Sequence, residues 1–216
     1  MRTGATTEMT ITLYLIRHGA TASNKRHAYL GKTDEPLSNE GGAQILSYKD
    51  AGIYPAPCND LLIFSSPLLR CLQTKDLLYP DNLAILIPEW TEMDFGRFEG
   101  KNYQELNGDP DYQRWIDSGG TIAFPEGESR AEFIARSMAG FEWCIKCMTG
   151  KIQKSAVCIV HGGTIMAILS SLTGGNYYDY QVKNSHGYKL ELSLDKDDHV
   201  QVTRITPLIQ EKMDKQ

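Results

Sequence analysis

The chain has 216 residues, 41% of them hydrophobic and 23% charged, with a formal net charge of −5. This length predicts one domain that buries roughly 70% of its unfolded surface, enough for a core without crosslinks. The negative balance argues against binding nucleic acid through a general basic field, but a few local cations can still hold a small anion.

Residues 1–10 are polar and read as a flexible tail, with a single domain expected over 11–216. No apolar run reaches spanning length, so no membrane partner is expected. The first strand is predicted over Thr12–Ile16 and runs directly into Arg17-His18-Gly19-Ala20-Thr21. Arg offers a planar fork of donors for phosphate, and His offers a nitrogen that attacks phosphorus or carries a proton. From this stretch alone, a polar loop after a strand is an equal reading.

A helix is predicted after Leu37 with Ser38 as its N-cap. A strand over Leu61–Phe64 leads through Ser65-Ser66 into a helix from Pro67 to about Leu78, with Arg70 one turn in. A short strand follows at Ala84–Ile87. Residues 89–127 are rich in Gly, Pro, Trp and Tyr with weak periodicity, and read as an irregular cap with short helices. Glu92, Asp94 and Glu99 within it are equal candidates for a general acid. Trp90, Phe95, Phe98, Tyr103 and Trp115 read as the small core of the cap in preference to a substrate wall.

The longest helix is predicted over Glu128–Met148, with Ile134, Met138, Phe141, Ile145 and Met148 as its packed face. Cys144 and Cys147 lie within it as a C-x-x-C and read as helical cysteines rather than a redox or zinc site. Five irregularly spaced cysteines make a poor disulfide framework and point to the cytoplasm. A strand over Ala156–Val160 ends at His161-Gly162-Gly163-Thr164, with a helix over Gly163–Leu172 whose free N–H groups favour an anion. If these strands are parallel neighbours, His18 and His161 meet at one sheet edge. Tyr188–Leu194 and Val200–Ile205 read as an antiparallel hairpin around the polar turn 195–198. Strands alternating with helices predict an α/β fold, three-layer α/β/α with a mostly parallel sheet.

Four segments in order resemble the histidine phosphatase superfamily, the phosphoglycerate-mutase-like group. They are Arg17-His18-Gly19 with Thr21 and Asn24, Ser65-Ser66-Pro67-Leu68 with Arg70, Glu92-x-x-x-Gly96-x-x-Glu99-Gly100, and Val160-His161-Gly162-Gly163. The resemblance implies that His18 is a nucleophile forming a phosphohistidine, with Glu92 as proton donor. It further implies that Arg17, Arg70 and His161 clamp the phosphate oxygens, with Asn24 and Gly162 in the binding set. Neutral His18 and cationic His161 are expected, with no cofactor and no metal. Ala20 departs from the family, which often carries Glu there.

Glu92-Met93-Asp94-Phe95-Gly96 lacks the Arg that mutases carry after the acid, so the chain looks like the phosphatase branch, a histidine acid phosphatase-type phosphomonoesterase. Segments 29–38 and 124–129 are similar to α-ribazole phosphatases, although broad-specificity relatives share them. The implied partner is a small phosphorylated metabolite, and the chain a monomer or homodimer. The alternatives are a phosphoglycerate mutase and a non-catalytic phosphate-binding regulatory domain.

Overall fold

The computed structural model describes residues 9–58, 60–149, 154–195 and 199–209. In chain order the elements are β1 (Met9–Arg17), α1 (Ala22–Lys25), α2 (Asn39–Asp50), β2 (Leu62–Ser65), α3 (Leu69–Leu78), β3 (Ala84–Leu86), α4 (Pro110–Asp117), α5 (Arg130–Thr149), β4 (Ser155–Val160), α6 (Gly162–Thr173), β5 (Gly187–Leu194) and β6 (Val200–Pro207). Single 3-10 turns occupy Pro88–Trp90, Gly96–Phe98 and Tyr177–Tyr180.

The six strands form one sheet in the order β3-β2-β4-β1-β5-β6. β1, β2, β3 and β4 are mutually parallel, while β5 runs antiparallel to β1 and β6 antiparallel to β5. Alternation along each strand assigns side chains to two buried faces. Ile11, Leu13 and Leu15 of β1 join Ala156, Cys158 and Val160 of β4 beneath α5 and α6. Ile16 joins Val157, Ile159 and Ile63 beneath α2 and α3. Both faces are therefore covered, which is why these strands read as nearly continuous apolar runs.

Ser38 caps α2 as expected, its Oγ accepting from Gly41 N at 3.0 Å. The helix expected from Pro67 instead begins at Leu69. Its N-cap residue Leu68 supplies no side-chain bond, and Asp34 Oδ1 accepts from Leu69 N at 2.7 Å from a distant loop. Of the expected face of α5, Phe141, Ile145 and Met148 are buried, with Phe133, Ser137, Gly140 and Cys144 beside them, while Ile134 and Met138 are partly buried. Gly140 extends this face by letting Trp90 approach: a Cβ there would lie 2.8 Å from Trp90 Nε1. Of the expected tail, residues 1–8 lie outside the described residues, and Met9 and Thr10 already belong to β1. Residues 196–198 of the expected hairpin turn also lie outside them.

Candidate active site

Three adjacent parallel strands end within one residue of each other, because Arg17 pairs with Val160 and Ser65 with Ile159. The residues that follow them are His18, His161 and Ser66, so the register brings these three side chains to one edge. His18 N donates to Val160 O at 3.0 Å and Ser66 N to Ile159 O at 3.0 Å, which fixes the backbone beneath the site. The His18 and His161 rings meet edge-on with centroids 5.1 Å apart.

The hydrogen bonds assign the tautomers. His18 Nδ1 lies 2.7 Å from Gly19 O, so Nδ1 carries the proton and Nε2 keeps its lone pair. Arg70 Nε donates to His161 Nδ1 at 3.3 Å, so His161 carries its proton on Nε2, 2.8 Å from Ser66 Oγ. Cys71 Sγ lies 3.5 Å from the same nitrogen, but burial pushes its thiol up to about 12, so it stays neutral and is no rival nucleophile.

Both imidazoles are held well below the usual histidine range. For His18 the causes are burial first, then the Arg70 and Arg17 guanidiniums. For His161 they are burial, then Arg70, His18 and Arg17. The expected contrast of a neutral His18 with a cationic His161 is therefore corrected, since burial and the same two guanidiniums act on both rings.

Arg70 is fully buried, and its Nη1 and Nη2 donate to Thr33 O at 2.9 Å and Gly31 O at 2.8 Å. Arg17 Nη1 donates to Val182 O at 2.6 Å, while its buried Nε has no partner. Neither guanidinium has a carboxylate partner in an ion pair among the described residues. Buried cations with carbonyl partners and an orphaned donor are costly until an anion arrives.

The three candidate acids separate by place. Asp94 pairs with Lys32 at 2.7 Å and accepts from Gly96 N. Glu99 accepts from Gly31 N, Lys32 N and Thr33 Oγ1. Glu92 alone reaches the strand-end cluster: Oε2 accepts from Gly163 N at 3.2 Å and Oε1 from Met93 N at 2.9 Å. Burial raises its carboxyl above the usual range, opposed by these N–H groups and the two arginines. Arg136 pins the backbone here, donating to Thr91 O at 2.6 Å and Glu92 O at 3.0 Å.

Asn24 Oδ1 accepts from Thr21 N at 3.2 Å in a capping box and from Asn184 Nδ2 at 3.0 Å. Asn184 Nδ2 also contacts His18 O at 3.2 Å. Asn184 and Arg136 were not singled out in the sequence, where no local pattern distinguishes them from surface polar residues, and Ser66 stood in a quoted segment without a site role.

A cavity of about 1150 Å³ opens beside the cluster, with Arg17, Asn24, Glu92 and Gly162 among its lining residues. Its far wall includes Phe95, Trp115, Phe124 and Tyr177. The aromatic set thus divides: Phe95 and Trp115 face the cavity, Phe98 is buried in the cap cluster, Trp90 lies in the main core and Tyr103 is exposed. Tyr29, absent from that set, packs against Phe95, Phe98, Tyr112, Trp115 and Phe124. Cys144 is buried beside Cys158, and both are free thiols. Among the described residues, no group of three or more His, Cys, Asp or Glu could hold a metal, and no helix is long and apolar enough to cross a membrane.

A family model described as the histidine phosphatase superfamily (branch 1) matches residues 13–202. The chain is 28% identical over 164 residues to the uncharacterized phosphatase PhoE of Bacillus subtilis, covering 75% of this chain and 77% of that one. Among solved structures, a phosphoglycerate mutase of Thermus thermophilus is 30% identical with a TM-score of 0.64, covering 93% of this chain and 100% of the other. The alpha-ribazole phosphatase of Shigella flexneri has a TM-score of 0.73 at 19% identity, covering 94% and 100%, a likeness of fold alone.

Proposed function

The chain belongs to the histidine phosphatase superfamily, branch 1, a family whose members include phosphatases and phosphoglycerate mutases, and from that premise we propose that it hydrolyses a small phosphomonoester through a phosphohistidine. The observation that carries this reading is the charge of the cluster. Arg17 and Arg70 bring two positive charges with no ion pair, and both imidazoles and Glu92 are biased toward their neutral forms. A phosphomonoester dianion is the ligand that balances such a site.

In this mechanism His18 Nε2 attacks phosphorus while the ester P–O bond breaks. Arg17, Arg70, His161 and Asn24 hold the non-bridging oxygens, where charge gathers in the transition state. Neutral His161 serves as a hydrogen-bond donor, and dianion binding favours its protonation. Glu92, whose protonated form burial favours, gives its proton to the departing oxygen. Glu92 then takes a proton from water as the water attacks the phosphohistidine, which releases phosphate and restores His18. The Gly162 and Gly163 turn lets the start of α6 approach the ligand closely.

The phosphatase branch is favoured over the mutase by Met93 following the acid, where mutases carry an Arg. The cavity far exceeds a phosphate in volume, which suits a sizeable leaving group, and α-ribazole phosphate is the candidate carried by segments 29–38 and 124–129. The free cysteines fit a reducing, cytoplasmic setting.

The test is hydrolysis of p-nitrophenyl phosphate in the presence of a chelator. We expect turnover in the wild type and none in His18→Ala; on an alkyl phosphate, whose leaving oxygen needs a proton, Glu92→Gln should be slowed far more than Asp94→Asn. Full turnover in His18→Ala removes the nucleophile, and the reverse order of the acids moves the proton donor. Efficient isomerisation of phosphoglycerate in the presence of bisphosphoglycerate would instead favour the mutase. A screen of phosphorylated metabolites ranked by kcat/KM, α-ribazole phosphate included, identifies the ester.

A further inference from the structure

Both terminal nitrogens of Arg70 are committed to one loop, through the carbonyls of Gly31 and Thr33. A planar guanidinium seated on two carbonyls has its direction fixed by them. The position of residues 31–33 therefore decides where Arg70 points, including its Nε toward His161. These three residues belong to no helix or strand.

One carboxylate takes a donor from each of the three, while Asp94 pairs only with the Lys32 ammonium. Glu99 Oε2 accepts from Gly31 N at 3.1 Å and Thr33 Oγ1 at 2.8 Å, and Oε1 accepts from Lys32 N at 3.1 Å and Phe95 N at 3.3 Å. The loop thus turns its donors to Glu99 and its carbonyls to Arg70. Glycine is required at the contact, because a Cβ on Gly31 would lie 2.2 Å from Glu99 Oε1 and 1.8 Å from Met93 O. Glu99 is not among the residues lining the cavity.

We propose that Glu99 is a positioning residue for Arg70, acting through the 31–33 loop. The proposal rests on the reading of Arg70 as a phosphate clamp. A carboxylate is needed because all four partners are donors. Glutamine turns one acceptor into a donor, and either amide orientation sets it against an N–H or O–H.

A double-mutant cycle on kcat/KM for p-nitrophenyl phosphate tests it. Glu99→Gln is expected to lose about 10–100-fold, the scale of a small misplacement of a clamping group. In an Arg70→Ala background the same substitution is expected to lose less than about threefold, because the residue it positions is gone. Thr33→Val removes only one contact from an exposed side chain, so its folding is not in question. It is expected to lose about 3–10-fold, again only when Arg70 is present. Equal losses in both backgrounds overturn the proposal and leave Glu99 a structural residue. An Arg70→Ala enzyme as active as the wild type instead overturns the phosphate-clamp reading, and the proposal falls with it.

Discussion

One methyl group at Gly163 tests the acid assignment. A Cβ on Gly163 lies 2.3 Å from Glu92 Oε1 and 3.0 Å from Phe133 Cζ. An ordinary carbon–oxygen contact is about 3.3 Å, so in Gly163→Ala the carboxylate must retreat by about 1 Å. The displaced atom is the end of a flexible side chain, and the Phe133 ring has only tenths of an ångström to give. Overpacking of this kind costs about 1–3 kcal/mol, or about 2–12 °C in Tm for a chain this size, so the fold survives. A catalytic group misplaced by about 1 Å costs on the order of 100-fold in rate. The loss should depend on the ester, since p-nitrophenolate leaves without a proton and an alkoxide does not. Steady-state kinetics should show about 100-fold lower kcat/KM on an alkyl phosphate and under about tenfold on p-nitrophenyl phosphate. Equal losses on the two esters, in a variant that melts cooperatively, would refute the role of Glu92 as acid.

The remaining predictions concern pH, charge and strain. His18 must be neutral to attack and its value lies below 6.5, so the acidic limb of kcat/KM falls below pH 6.5; Glu92 must be protonated and its value lies above 4.5, so the alkaline limb begins above pH 4.5. A pH–rate profile with its acidic limb above 6.5 contradicts this. The two buried histidines bind protons more weakly folded than unfolded, so they make Tm fall as pH drops below 6.5, and His161→Gln should fall less than the wild type. Glu92 acts in the opposite sense, contributing less as pH rises from 4.5 through its raised value. Arg17→Met should lose on the order of 10²–10³-fold in kcat/KM yet raise Tm, because the buried Nε has no partner. Inorganic phosphate at 100 times its Kd should stabilise the wild type by about 2.7 kcal/mol and the Arg17 variant far less; equal stabilisation of both refutes the clamp. Ser185 has φ of 68° and a buried hydroxyl without a partner, so Ser185→Gly should stabilise by about 1 kcal/mol in thermal unfolding, and a lower Tm would count against strain there.

The central strands and their terminal histidines were legible because burial on both faces leaves continuous apolar runs that stop at polar residues. The start of α3 was not, because its capping carboxylate, Asp34, comes from a loop 35 residues upstream while Pro67 gives the local signal. Glu92, Asp94 and Glu99 could not be ranked by spacing, since what separates them is contact with Gly163, Lys32 and the 31–33 loop. The downward bias on His161 was not legible either, because it comes first from burial and then from Arg70, a residue more than 50 positions away in sequence.

Arg17 ends β1, His18 and His161 follow β1 and β4 directly, and Arg70 lies in the first turn of α3, whereas much of the cavity's remaining wall comes from 93–95, the end of α4 with the loop to 124, and 177–184. Selection can therefore rewrite that wall turn by turn and recruit new esters while inheriting the reaction intact. Glu92 is the exception, lying by sequence in the part free to diverge and by chemistry in the part that is not. Its anchorage to Met93 N and Gly163 N uses main-chain groups that side-chain changes nearby leave in place, except at Gly163 itself, where a Cβ would meet the carboxylate. A lineage that keeps Gly163 can change other residues around Glu92 and still deliver the proton.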